Sequence, residues 1–119
     1  MTDQEISEAV ALKLGAKKLK ECACGDPYDD HWELPHEWNY RKFAKNFPPY
    51  CRSTEAAWVI VEKLKAEGFR TNMTVRPFGE DKKDMGYHVQ FIKDGSFNGE
   101  QDWGETAAMA ICRAFLKLP

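Results

Sequence analysis

The 119-residue sequence lacks the long apolar run that a membrane-spanning helix needs. Its first ten residues, MTDQEISEAV, lack the basic and apolar regions of a signal peptide. It also lacks a charge excess, since the formal net charge is -2 and no overall field attracts nucleic acid. We therefore expect a cytoplasmic protein with no membrane partner and no nucleic acid as its principal partner.

Common catalytic motifs are missing as well. The glycine pair in GEDKKDMG does not stand between a strand and a helix, so it is no phosphate-binding loop. No C-x-x-C redox pair occurs. A Cys–His–Asp arrangement built from Cys24 or Cys51 with His88 is not selected by any spacing. These absences weigh against an enzyme without deciding the matter.

What the chain does contain is the composition of one globular domain over residues 1–119. Hydrophobic residues make up 43% and charged residues 30%, which are near the values of ordinary folded domains. A chain of this length buries roughly 65% of its unfolded surface, which is enough for a single core.

Helical spacing of apolar residues marks three segments, which are residues 3–14, 53–67 and 105–118. Thr2 and Glu5 fit a capping box at the start of the first helix. Ser53 suits the N-cap of the second helix. Gly15 and Gly68 suit the left-handed position that ends the first two helices.

Alternating residues predict an antiparallel hairpin of strands at 69–77 and 87–93. The alternation places Phe69, Thr71, Met73 and Val75 on the buried face. A further short strand is predicted at 17–24. The predicted fold is α+β, with an antiparallel sheet and helices packed as an α-β-α sandwich.

The segment at about 22–50 is an irregular excursion rich in proline and aromatic residues. Its four prolines argue against long regular elements. Its seven aromatic residues argue against a disordered linker, because disordered segments are usually poor in aromatic residues. We predict a packed excursion with a short helix at 39–45.

One metal hypothesis falls on this excursion. Cys22, Cys24, His31 and His36 supply two sulfur and two imidazole ligands for zinc, and Cys51 is a spare ligand. A single residue separates the first two cysteines, whereas paired zinc ligands usually stand two to four residues apart. The alternative is that both cysteines are small buried residues at a strand end. We expect no cofactor, with zinc as the weaker alternative.

The polar face of the predicted hairpin is the candidate ligand-binding surface. Arg70, Arg76 and His88 fall on it and could bind an anion through charge-assisted hydrogen bonds. The alternative is a solvated outer face, or a face covered by another helix or subunit.

Two segments carry a family resemblance. The stretches PPYCRSTEAAWVIVEKLKAEGF and ETAAMAICRAFLKL resemble the central motif and closing helix of the phage ABA sandwich domain family, and EISEAVALKLGAK is similar to its opening helix. The residues that match the motif, all of which we expect to serve helix capping and core packing, are Tyr50, Ser53, Trp58, Ile111 and Cys112. Cys51 and Arg52 are inserted relative to the family pattern, and residues 22–47 have no counterpart in it.

The resemblance implies a phage or prophage origin and an α-β-α arrangement, and it carries over no catalytic residue. We therefore predict a non-enzymatic accessory protein that forms a homo-oligomer. It would bind a host protein or a small anionic ligand to counter host defence. The alternative is a small hydrolase that uses a cysteine or a metal centre in residues 22–51. A structural oligomer subunit is the third hypothesis.

Overall fold

Three helices and six strands make up the part of the chain that the computed structural model describes, residues 2–18, 32–38, 40–44, 47–78, 84–93 and 99–119. The elements are α1 (Asp3–Leu14), β1 (Lys17–Lys18), β2 (Trp32–Trp38), β3 (Arg41–Ala44), α2 (Thr54–Ala66), β4 (Phe69–Phe78), β5 (Asp84–Lys93), β6 (Glu100–Gly104) and α3 (Ala107–Lys117). The strands form two antiparallel sheets, β1-β2-β3 and β4-β5-β6. The predicted α+β class is confirmed.

The ends of the helices are set by local side-chain capping. Thr2 and Glu5 form the predicted capping box at α1, and Gly15 ends that helix at φ 106°. The Ser53 side chain caps α2 by accepting a hydrogen bond in its first turn. Thr106 caps α3, so this helix begins two residues later than predicted. No helix within the described ranges is long and apolar enough to cross a membrane.

The second sheet is built around the predicted hairpin, which is confirmed. β4 and β5 pair without interruption from Phe69 opposite Lys93 to Phe78 opposite Asp84. β6, which the sequence did not predict, pairs with the other side of β5. β5 is therefore the central strand and β4 is an edge strand.

The described helices all belong to one side of this sheet. α2 packs on β4, α3 packs on β5 and β6, and α1 packs on α3. Val89 and Phe91 of β5 are fully buried, as are Ala110 and Ile111 of α3. No helix within the described residues covers the opposite face, which is largely polar but also carries Trp103 and the buried Ile92 opposite Arg70.

The predicted burial of the whole apolar face of β4 is wrong for its outer half. Met73 is 37% exposed and Val75 is 54% exposed. The reason is a difference in length, because the 13 residues of α2 span about 20 Å, whereas the 10 residues of β4 span about 33 Å. The outer part of the hairpin therefore extends beyond the helix that covers its base.

The helix predicted at 39–45 is also wrong, because residues 41–44 form β3 and pair with β2. Tyr40 makes the connecting turn with a φ of 65°. Pro35 fits within β2 because the pairing register shifts between Glu33 and Trp38. At such an irregularity the proline, which has no N–H, is not required to donate a backbone hydrogen bond to the neighbouring strand. The predicted strand at 17–24 is seen only as β1, since residues 19–31 lie outside the described residues.

Candidate functional site

The three predicted ligand-binding residues lie on the open face of the β4-β5-β6 sheet. Thr74 pairs with His88, and Arg76 pairs with Gly86. Residues directly opposite each other on neighbouring strands share a face, and residues an even number apart on one strand do so as well. Arg70, Arg76 and His88 therefore share the face that the described helices leave open.

These side chains do not converge on one point. Arg70 and Arg76 are six residues apart on one strand, which separates them by about 20 Å. His88 lies diagonally across from Arg76, near one end of this span. Both arginines are exposed, and neither makes a hydrogen bond or ion pair with a residue of the described ranges. The face is thus an extended surface with positive charge at both ends.

His88 is held in place by two residues that sequence reasoning missed. Its Nε2 donates a hydrogen bond to Gln101 Oε1 at 2.7 Å, and its ring lies 4.7 Å from that of Trp103. Both partners stand on β6 and face the same way as His88. A polar and an aromatic residue two positions apart, at 101 and 103, could have indicated a strand face. The five residues of β6 are too few for that pattern to be recognised.

The zinc hypothesis can be followed only at His36, because Cys22, Cys24 and His31 lie outside the described residues. His36 Nε2 accepts a hydrogen bond from the Tyr50 hydroxyl at 2.6 Å, and Nδ1 bonds the carbonyl of the next residue at 2.9 Å. No cluster of three or more potential ligand residues is found in the described part of the chain. Both imidazole nitrogens of His36 are occupied by protein groups.

The spare ligand of that hypothesis, Cys51, is a buried residue between α1 and α2. Its Sγ lies 3.1 Å from Ser7 Oγ and donates to the Asp3 carbonyl at 3.0 Å. His88 stands on the far face of the sheet, so the structure does not bring this pair together. Burial raises the pKa of the Cys112 thiol, and the neighbouring Cys51 raises it further. The two described thiols have the surroundings of core residues rather than nucleophiles.

We expect this burial to protect both thiols from alkylation. Iodoacetamide should modify Cys51 and Cys112 in the folded protein at least about a hundredfold more slowly than in urea, since their labelling requires local or global opening. Peptide mass spectrometry resolves the individual sites. If Cys51 is labelled as fast in the folded protein as in urea, its thiol is accessible. That result would support the cysteine hydrolase hypothesis.

Most of the motif residues have the structural roles predicted for them. Tyr50, Ile111 and Cys112 are fully buried, and Ser53 caps α2. The predicted core position of Trp58 is wrong, because this side chain is 47% exposed. Its indole N–H donates instead to a glutamate one turn later on α2.

A groove lies elsewhere, where the ends of α2 and α3 meet the start of β4. It has a volume of about 860 Å³ and contains Lys13, Lys63 and Lys93 beside apolar side chains. The Lys13 ammonium donates to the carbonyls of Phe115, at 2.6 Å, and Leu118. Lys63 is paired with a glutamate of the groove. These two cations are already engaged by the protein, so the groove presents no assembled anion site.

The family model of the phage ABA sandwich domain matches residues 10–116, which is nearly the whole chain. Neither a curated protein nor a solved structure matches the chain.

Proposed function

The chain belongs to the phage ABA sandwich domain family, and from this we propose that it is a phage or prophage accessory protein that binds a host protein. Binding would take place in the host cytoplasm and would counter a host defence. The observation that carries the proposal is the open face of the β4-β5-β6 sheet, with exposed Arg70 and Arg76 at its two ends.

The spacing of the two arginines favours a protein over a small ligand. A separation of about 20 Å along a strand exceeds the reach of a small anion, which would contact one arginine only. A standard protein interface covers about 800 Å² on each partner, and arginine is enriched in such interfaces. An acidic surface on the host protein would complement both charges at once.

The shape of the surface favours binding over catalysis. Small-molecule and catalytic sites are usually concave, because a reaction needs its substrate largely enclosed. The polar face is instead the open side of a sheet, and its one histidine is held by Gln101 and Trp103. The described cysteines are buried among the helices on the other side of the sheet, Cys112 on α3 and Cys51 against α1.

Site-specific photocrosslinking tests the proposal. A photoreactive benzophenone residue at Gln90, on the central strand of the open face, should form one dominant adduct with a host protein in a bacterial lysate. The same residue at Glu55, which is exposed on α2, is the control. Equal adduct patterns from both positions would contradict the proposal.

Charge reversal supplies the quantitative prediction. The double variant Arg70→Glu, Arg76→Glu should bind the crosslinked partner, once purified, at least about tenfold more weakly, mainly through slower association. Calorimetry or surface plasmon resonance measures the change. The melting temperature should stay nearly constant, because exposed residues that make no hydrogen bond or ion pair with the described part of the chain contribute little to stability. Unchanged binding in this variant would remove the open face from the function.

A further inference from the structure

β4 is an edge strand that the rest of the described chain leaves uncovered. It pairs with β5 on one side only, and its six consecutive residues 72–77 are all exposed. An exposed edge carries a row of unpaired N–H and C=O groups that can pair with another strand.

The usual protections of an edge strand are absent from its central part. The ten residue pairs with β5 run without a bulge. Neither a charged residue nor a proline stands between Arg70 and Arg76, although natural edges commonly carry such residues against unwanted pairing. Residues 71–75 are therefore free to accept a partner strand.

From this edge we propose that two copies of the chain pair antiparallel through β4, with the twofold axis at Asn72, and so form one six-stranded sheet. This inference does not depend on the proposed function, because the pairing involves two copies of this chain and no host protein.

The backbone geometry identifies the groups that point outward. A Cβ added to Gly99 would lie 1.8 Å from the carbonyl oxygen of Phe91, so this carbonyl faces β6. In an antiparallel sheet the residue opposite, Thr71, then directs its N–H and C=O away from β5. Met73 and Val75 follow the same alternation. Pro77 follows it too. Its backbone nitrogen, which carries no hydrogen, points away from β5, as is usual for prolines in edge strands.

A twofold axis at any residue of β4 matches outward residues with outward residues, but the axes at Met73 and Thr74, in the middle of the strand, are unfavourable. An axis at Met73 places Arg70 opposite the partner's Arg76, which brings like charges together. An axis at Thr74 places Thr71 opposite the partner's Pro77, which cannot donate a hydrogen bond.

The axis at Asn72 avoids both problems. It pairs Thr71 with the partner's Met73 and sets Asn72 opposite its own copy.

The same register covers apolar surface that a single copy exposes. Val75, 54% exposed, comes to lie opposite the partner's Phe69. Met73, 37% exposed, lies opposite the partner's Thr71. The strand is complementary to itself, as an isologous interface requires, and this favours a second copy over an unrelated peptide.

Size-exclusion chromatography with light scattering gives the first test. At concentrations of tens of micromolar the purified protein should have twice the chain mass of 13.7 kDa. Val75→Lys should shift the dimer dissociation constant at least about tenfold toward the monomer, because it places a charge in the paired edge. A monomeric wild-type protein, or a dimer that Val75→Lys leaves intact, would overturn the inference.

Cysteine crosslinking tests the register. Asn72→Cys should give a reducible covalent dimer on mild oxidation, since residues at the axis have Cβ atoms about 4.5–5.5 Å apart, near the range that a disulfide spans. Thr74→Cys is the matched control and should crosslink far less, as should the wild type with its own four cysteines. Crosslinking that is equal at both positions, or stronger at Thr74, would contradict the axis at Asn72.

Discussion

Replacement of Gly104 by alanine should lower the free energy of unfolding by about 3 kcal/mol. A Cβ at this position would lie 2.5 Å from the backbone nitrogen of Ala110 and 2.9 Å from its Cα. Both atoms belong to the backbone of α3, so no side-chain rotation can relieve the clash. The last helix would have to move away from β6, and its packing in the core would be lost with it.

Gly68→Ala is the matched control, because it also adds one methyl group to a glycine. No atom lies within 4 Å of a Cβ at Gly68, but its φ of 94° strains any other residue. We expect a loss of about 1 kcal/mol from this strain. Urea denaturation followed by circular dichroism ranks the two variants. A smaller loss for Gly104→Ala than for Gly68→Ala would contradict the close approach of β6 to α3.

Alkaline pH should destabilise the protein strongly. Burial raises the pKa of the Tyr50 hydroxyl, with a smaller contribution from Cys112, and burial likewise raises the pKa of the Cys112 thiol. The folded state therefore keeps two protons that the unfolded state releases above a thiol pKa of about 8.5 and a phenol pKa of about 10. Because the unfolded state then binds fewer protons, stability falls as the pH rises.

The expected loss from these two groups is about 4 kcal/mol between about pH 9 and pH 11, at about 1.4 kcal/mol per pH unit for each fully titrating group. Urea denaturation at a series of pH values measures it. Cys112→Ala will be less stable at neutral pH because a buried side chain is shortened, but its stability should fall less steeply between about pH 9 and pH 10, where the thiol dominates. An unchanged slope in this variant would show that the Cys112 thiol does not contribute.

Local chemistry made the helices predictable. The capping box at Thr2 and Glu5, the Ser53 cap and the glycine that ends α1 each act over a few residues. The hairpin was equally accessible, because the alternation at 69–77 requires no information from the rest of the chain.

The errors concern features that depend on distant parts of the chain. Residues 41–44 form a strand because they pair with β2, whose Trp32 and Leu34 are buried in the core. The exposure of Val75 depends on the relative lengths of α2 and β4. Neither pairing nor relative length can be obtained from the periodicity of a single segment.

The sequence predicted which face of the hairpin carries the candidate site, but not the contacts that the site residues make there. Alternation alone places Arg70, Arg76 and His88 on one side of the hairpin, as found. Their spread also follows from the sequence, since six residues of strand measure about 20 Å. The contribution of Gln101 and Trp103 required β6, whose five residues give too short a pattern to identify.

The contact of Lys13 with the end of α3 has a consequence for how the protein folds. It joins residues 102 positions apart, and α1 packs principally against α3. During synthesis, Ile6, Val10 and Leu14 of α1 have no α3 to pack against until all the residues between the two helices have been made. Contacts of such long range form slowly, because a large loop must close first. The contacts between α1 and α3 therefore form late, and this part of the core closes only after α3 has been made.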